Sequence, residues 1–265
     1  MTCVAVAQFA PTTDKDRNLA VIGDLAEHAA RRGARVLVVP EFAMFSAPAM
    51  DDRFLDTAET LDGPFVRELG LLAQQHALAV VCGLNERIDD TDRISNTLVA
   101  IGDSGRTEAT YRKVHLYDAF GYTESTKVRP GTIEAPETFD VDGVTFGLQT
   151  CYDLRFPEVT RRIVDAGADV VLLPAAWVPG PLKEHHWTTL IEARAIENTI
   201  YLAAAGQTAP GGIGHSMIVD PMGIHLAGTG QEDGVASAIV SRDRIADVRR
   251  INPALSLRRF DVAVR

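Results

Sequence analysis

Cysteine is scarce: the 265-residue chain has three, at positions 3, 82 and 151. They are too few and too scattered for a disulfide framework or a zinc site, so the cytoplasm is the default setting. Positive charge is also short. Lys and Arg number 26 against 36 Asp and Glu, a net charge of −10, which argues against the basic footprint of a nucleic-acid binder and against attraction to an anionic membrane. No apolar run approaches the roughly 18 residues of a membrane helix. The opening MTCVAVAQFAP has no basic n-region, so it reads as a first strand rather than a signal peptide. No Pro- or Ser-rich linker, repeat or low-complexity tract divides the chain. The GTG and GGIG clusters fall outside any strand-to-helix unit and do not form a dinucleotide fingerprint, and no cofactor is implied.

What is present is an alternation of strands and helices. Apolar runs at Cys3–Phe9, Val36–Val39, Leu78–Leu84, Asp169–Leu173 and Tyr201–Ala205 read as buried strands. Ile94–Ile101 and Glu108–Leu116 form a hairpin-like pair around GDSGR, and two further strands lie near 216–220 and 235–240. Helical spacing marks Asp16–Arg32, Gly63 to about Ala77, 157–166, Glu184–Asn198 and Asp243–Arg250. Tyr117–Gly131 reads as a polar loop. The pattern predicts one layered α/β domain over 1–265.

Three strand ends carry unusual groups. Val144–Glu158 (VTFGLQTCYDLRFPE) runs from a strand through Cys151 into a turn, with Pro157 and Glu158 suited to the first turn of a helix. A thiol at a helix N-terminus is expected to have a lowered pKa and a stabilised thiolate. An isolated Cys closing a core strand is usually inert, but Tyr, Asp, Arg and Glu within seven residues make a poor lining for an inert core. Glu41 follows VLVVP directly; taken alone, it would as readily cap a helix or pair with an Arg. Lys113 stands beside Arg112 in a strand-like stretch, and alternation turns one of the two inward, where a Lys implies an acidic partner. Together the three offer a thiolate, a base and a cation.

These residues carry a resemblance. VVPEFAMF around Glu41, YRKVHLYD around Lys113, TESTKVRPG around Glu124, CYDLRFPE around Cys151, PAAW at 174–177 and GHSMIVDPMG at 214–223 are similar to motifs of the nitrilase (carbon–nitrogen hydrolase) superfamily, above all its omega-amidase and deaminated-glutathione-amidase branch. The resemblance implies a four-layer α-β-β-α sandwich that pairs into oligomers. It implies a Glu41–Lys113–Cys151 triad, with Glu124 as a second glutamate holding Lys113 or Glu41. Chemistry then assigns Glu41 as general base and Cys151 as nucleophile forming a thioester. Lys113 and the backbone N–H of Tyr152 become oxyanion donors. A carboxylate base beside a thiol needs the water-poor pocket that a strand end supplies.

Arg155 matches the arginine this branch turns toward a substrate carboxylate, which suits a small carboxylate-bearing amide. A structural ion pair with Asp153, Glu158 or another acid is its alternative. Trp177 could wall the pocket or simply fill a turn. His115, His185 and His186 have no third partner at metal spacing, so no metal is proposed. Nitrile or N-carbamoyl hydrolysis, and a non-catalytic binding or scaffold protein on this fold, are the other readings. A redox-sensing thiol would want a resolving Cys near Cys151, and the sequence offers only Cys3 and Cys82. A homodimer is expected through the helices after Cys151 and after Trp177, with Ala193, Ala195 and Ile196 as packing surface.

Overall fold

A computed structural model describes residues 1–88 and 92–264. In chain order the elements are β1 (Thr2–Gln8), α1 (Lys15–Arg31), β2 (Val36–Val38), α2 (Arg53–Asp56), α3 (Pro64–His76), β3 (Ala79–Arg87), β4 (Ile94–Ile101), β5 (Thr107–Arg112), β6 (Thr138–Val141), β7 (Val144–Leu148), α4 (Pro157–Asp165), β8 (Val170–Ala175), α5 (Lys183–Asn198), β9 (Tyr201–Gly206), β10 (Met217–Val219), β11 (His225–Gly228), β12 (Gly234–Val240) and α6 (Arg242–Ile251). They build two six-stranded sheets, ordered β12-β1-β2-β3-β4-β5 and β11-β10-β9-β8-β7-β6.

Period-two alternation makes the layers. In β1, Val4 and Val6 face the second sheet while Ala5 and Ala7 face α1 and α3; in β2, Val36 and Val38 face inward and Leu37 outward. Residues of both sheets, among them Val81, Leu98, Phe146 and Leu172, form the middle core. α1 and α3 cover the first sheet, and α4 and α5 cover the second through Ile163, Trp187 and Ile191. The result is a four-layer α-β-β-α sandwich. Both sheets are mixed: β1, β2 and β3 run parallel, as do β7, β8 and β9, and the outer strands pair antiparallel.

The predicted strands and helices are found within a few residues of their expected bounds, while β6, β11 and α2 were not anticipated. Two expectations need correction. Cys151 does not open an α-helix: Cys151–Arg155 is a five-residue 3₁₀ turn, and α4 starts at Pro157. Ala195 is not packing surface, because it is fully buried on the core-facing side of α5, whereas Ile196 on the same helix is 45% exposed.

Candidate active site

The site forms where strand ends of the two sheets meet. Glu41 lies just past β2, and the chain turns sharply there, with Phe42 at φ 54°. β3 leaves room for that turn because Gly83 has no side chain: a Cβ there would stand 2.7 Å from the Glu41 Cα. Gln207, just past β9 on the other sheet, donates its side-chain N–H to the Glu41 carbonyl at 2.7 Å. The carboxylate is 1% exposed. Its Oε2 accepts the backbone N–H of Ala176 at 2.7 Å, and its Oε1 accepts Lys113 Nζ at 2.9 Å and Asn96 Nδ2 at 2.7 Å.

Lys113 follows β5 and keeps its backbone tied to Asn96 of β4. Arg112 faces outward and pairs with Glu86, while Lys113 points inward, 2% exposed. Its ammonium lies 2.9 Å from Glu41 and 2.8 Å from Glu124, so the inward Lys has two acidic partners. Burial pushes this ammonium toward neutrality; the charges of Glu124 and Glu41, with Cys151, more than reverse that and hold its pKa well above the usual lysine value. Glu124 opens a 3₁₀ turn in the loop expected at 117–131 and also accepts the Tyr117 N–H at 2.6 Å. Asn96 donates to both carboxylates, at 2.7 and 3.0 Å, and its side-chain Oδ1 has no partner among the described residues.

Cys151 stands against this cluster, 6% exposed, with φ at 42°. For a residue with a Cβ, that left-handed backbone costs about 1–2 kcal/mol. The expected resting thiolate is not what surrounds it. Burial raises the thiol pKa well above its ordinary value, the Glu41 charge adds to the rise, and Lys113 opposes without winning. A five-residue 3₁₀ turn supplies too little aligned dipole to reverse this, so the resting form is the neutral thiol.

Tyr152 follows in the turn, and Asp153 beneath it is fully buried. Asp153 accepts Tyr111 Oη at 2.7 Å, the His115 N–H at 3.1 Å, His115 Nδ1 at 2.8 Å and the Thr150 N–H at 3.3 Å. The alternative ion pair of Arg155 with Asp153 or Glu158 does not form. The guanidinium lies 4.8 Å from the Trp177 ring centroid and 3.4 Å from His186 Nδ1, and its Nε is buried without a partner. Trp177 is 3% exposed, anchored by an N–H bond to the Lys183 carbonyl. Lys183 itself, which sequence reasoning missed, is buried across the same ring. Sequence reasoning also missed Asn96, Asp153 and Gln207. The signal for Asn96 was a lone amide in the apolar strand ISNTLVAI. Among the described residues no group of three or more His, Cys, Asp and Glu could hold a metal ion.

A buried thiol set against a carboxylate and an ammonium, at the strand ends of a four-layer sandwich, defines a class of enzyme. The carbon–nitrogen hydrolase profile matches residues 3–250, and the chain belongs to that family. It is a hydrolytic enzyme with the nitrilase-superfamily fold. It is 38% identical to the deaminated glutathione amidase of Escherichia coli O157:H7 over 258 residues, 97% of each chain. Among solved structures, it is similar to Nit3 of Saccharomyces cerevisiae, a member of branch 10 of the nitrilase superfamily (TM-score 0.87, 28% identity, 98% of this chain and 97% of that one). It is likewise similar to a glutamate-to-glutamine variant of the amidase from Nesterenkonia sp. AN1 (TM-score 0.80, 27% identity, 97% and 96%); that variant's structure shows covalent addition of the acetamide moiety of fluoroacetamide at the active-site cysteine.

Proposed function

We propose that the whole chain acts as one amidase domain that hydrolyses a small carboxylate-bearing amide to acid and ammonia, with Glu41, Lys113 and Cys151 as its triad. The observation that carries this is the buried ammonium of Lys113 held between Glu41 and Glu124 beside the buried Cys151 thiol. Glu41 takes the thiol proton as sulfur bonds to the amide carbon. The oxyanion is met by Lys113 and the Tyr152 N–H, donors set before charge develops. As the C–N bond breaks, Glu41 returns that proton to the departing nitrogen. Water then attacks the thioester, gives a proton to Glu41, and the sulfur leaves and regains it. Glu124 keeps Lys113 charged and in place without itself reacting. Arg155, with no acid paired to it among the described residues, takes the carboxylate at the far end of the substrate, and Trp177 walls that end.

The protein is also proposed to pair with a second copy through α4 and α5, as its family resemblance implies.

The test is ammonia release across omega-amides, nitriles and N-carbamoyl amino acids, with intact-mass detection of an acyl adduct after a quench. An adduct absent from Cys151→Ser and turnover greatest on carboxylate-bearing amides are expected. An adduct on Cys3 or Cys82, or preference for nitriles or carbamoyl compounds, would overturn the assignment.

A further inference from the structure

Lys113 and Lys183 are both shielded from solvent, 2% and 4% exposed, Lys183 the less deeply set of the two, yet they are treated oppositely. Lys113 has two carboxylates. Lys183, the first residue of α5, has none within ion-pair distance among the described residues; its ammonium donates to Tyr117 Oη at 3.1 Å. Around it are aromatic faces, with centroids of Phe120, Tyr117 and Trp177 at 4.8, 4.9 and 5.0 Å. Arg155 shares two of those rings, 4.8 Å from Trp177 and 5.8 Å from Phe120, and it too has no carboxylate. Aromatic quadrupoles offset part of the cost of burying a cation but do not supply a counter-charge. Two cations in one aromatic box therefore have no anion to balance them among the described residues.

The charge balance says which residue matters. Glu41 and Glu124 exceed Lys113 by one negative charge. Setting aside Asp153, which has hydrogen-bond partners of its own, Arg155 brings the sum of these charges to neutrality and Lys183 makes it positive. A carboxylate entering a neutral pocket whose far wall holds two glutamates would gain little.

We propose that Lys183 is a specificity-determining residue that holds the substrate carboxylate jointly with Arg155, a point donor beside the planar guanidinium. This rests on the proposed carboxylate-amide reading. It adds a feature that reading does not contain. Burial, and then the charge of Arg155, lower the Lys183 pKa, so selection for a carboxylate weakens at a lower pH than an ordinary lysine would allow. Tyr117, Arg155, Tyr152 and Cys151 face the box; burial raises both the Tyr117 hydroxyl and the Cys151 thiol above their usual ranges.

The experiment compares kcat/KM on glutaric acid monoamide and on pentanamide, of equal length, and reads the ratio. In the ratio, steps common to both substrates, including titration of Cys151, cancel. Wild type should favour the charged amide. That preference should decline as pH rises toward about 10, below which an ordinary lysine stays charged. Lys183→Met should cut the ratio about ten- to a hundredfold, the worth of one charge-assisted hydrogen bond, chiefly through KM. Lys183→Arg should retain most of the ratio and move its decline to higher pH. A wild type with no preference would sink the carboxylate reading itself. A wild-type preference that Lys183→Met leaves intact, or that stays flat with pH, would overturn the role of Lys183 alone. The wild-type pH profile stands even if the Met variant does not fold.

Discussion

At the scale of single residues, the site is a set of opposed charges whose order of strength is readable. Burial and the Glu41 charge keep Cys151 protonated against the pull of Lys113. Glu41→Gln removes one of the raising influences and leaves the lowering one. Its thiol should therefore react with iodoacetamide at lower pH than the wild-type thiol, while amide turnover falls about a hundred- to ten-thousandfold for want of a base. Rates of alkylation against pH, in a Cys3→Ala background, check this; Cys82 is fully buried with its pKa raised, and serves as an internal control. An unchanged or raised alkylation pH would be the contrary result. Asn96 is the bridge between the two glutamates, so Asn96→Asp should place a third carboxylate there and cost activity far beyond its effect on folding, while Asn96→Ala should lower stability by ~1–3 kcal/mol in urea titrations. The burial of Glu41 was legible because the apolar run VLVVP leads directly to it, and the inward turn of Lys113 because alternation points one of Arg112 and Lys113 inward. Asn96 was not, since one amide inside a strand gives no sign of which face it lies on. Lys183 was hidden for a different reason: the left-handed backbone of Leu182, at φ 58°, precedes the helix start that carries it, and sequence does not announce such a turn.

Among the elements, Asp153 is the tie between the sheets' contributions. It grips Tyr111 and His115, which flank Lys113 in sequence, and the Thr150 N–H just before Cys151. His115 is further fixed by stacking on Phe156, ring centroids 3.7 Å apart. Asp153→Asn keeps the shape but loses a charged acceptor, so we expect ~1.5–3 kcal/mol lower stability and a fall in kcat with little change in KM. A variant with weakened KM and normal kcat would show that the tie does not reach the chemistry. The same region shows what sequence could not specify. Val144–Leu148 and Pro157–Asp165 follow from alternation and from proline at a first helical turn. The 3₁₀ turn between them depends on Asp153 finding donors from 38 and 42 residues away, and no local pattern encodes that. β6 and β11 were missed likewise: each is four residues long and lies at a sheet edge, where the neighbouring strand sets its register.

Over the whole molecule, an apolar surface runs along the end of α5 and the adjoining β10–β11 turn, with Ile196, Met222, Ile224 and Leu226 exposed by 42–54%. We expect light scattering at micromolar concentration to give at least twice the 28.7 kDa chain mass, and Ile196→Asp to shift the protein toward monomer. A wild type at 28.7 kDa would refute pairing. The order of the first sheet carries a last consequence. β1 lies between β2 and β12, its residues Thr2 to Gln8 matched with Val240 to Gly234. Ala236 and Val240 of β12, and Ile245 after it, also close the core shared by both sheets. A nascent chain thus has Glu41, Lys113 and Cys151 long before it has the strand that seals the sandwich. During synthesis the thiol should stay idle, and ammonia release should begin only with chains that extend beyond Val240. The enzyme is, on this view, switched on when β12 takes its place beside β1.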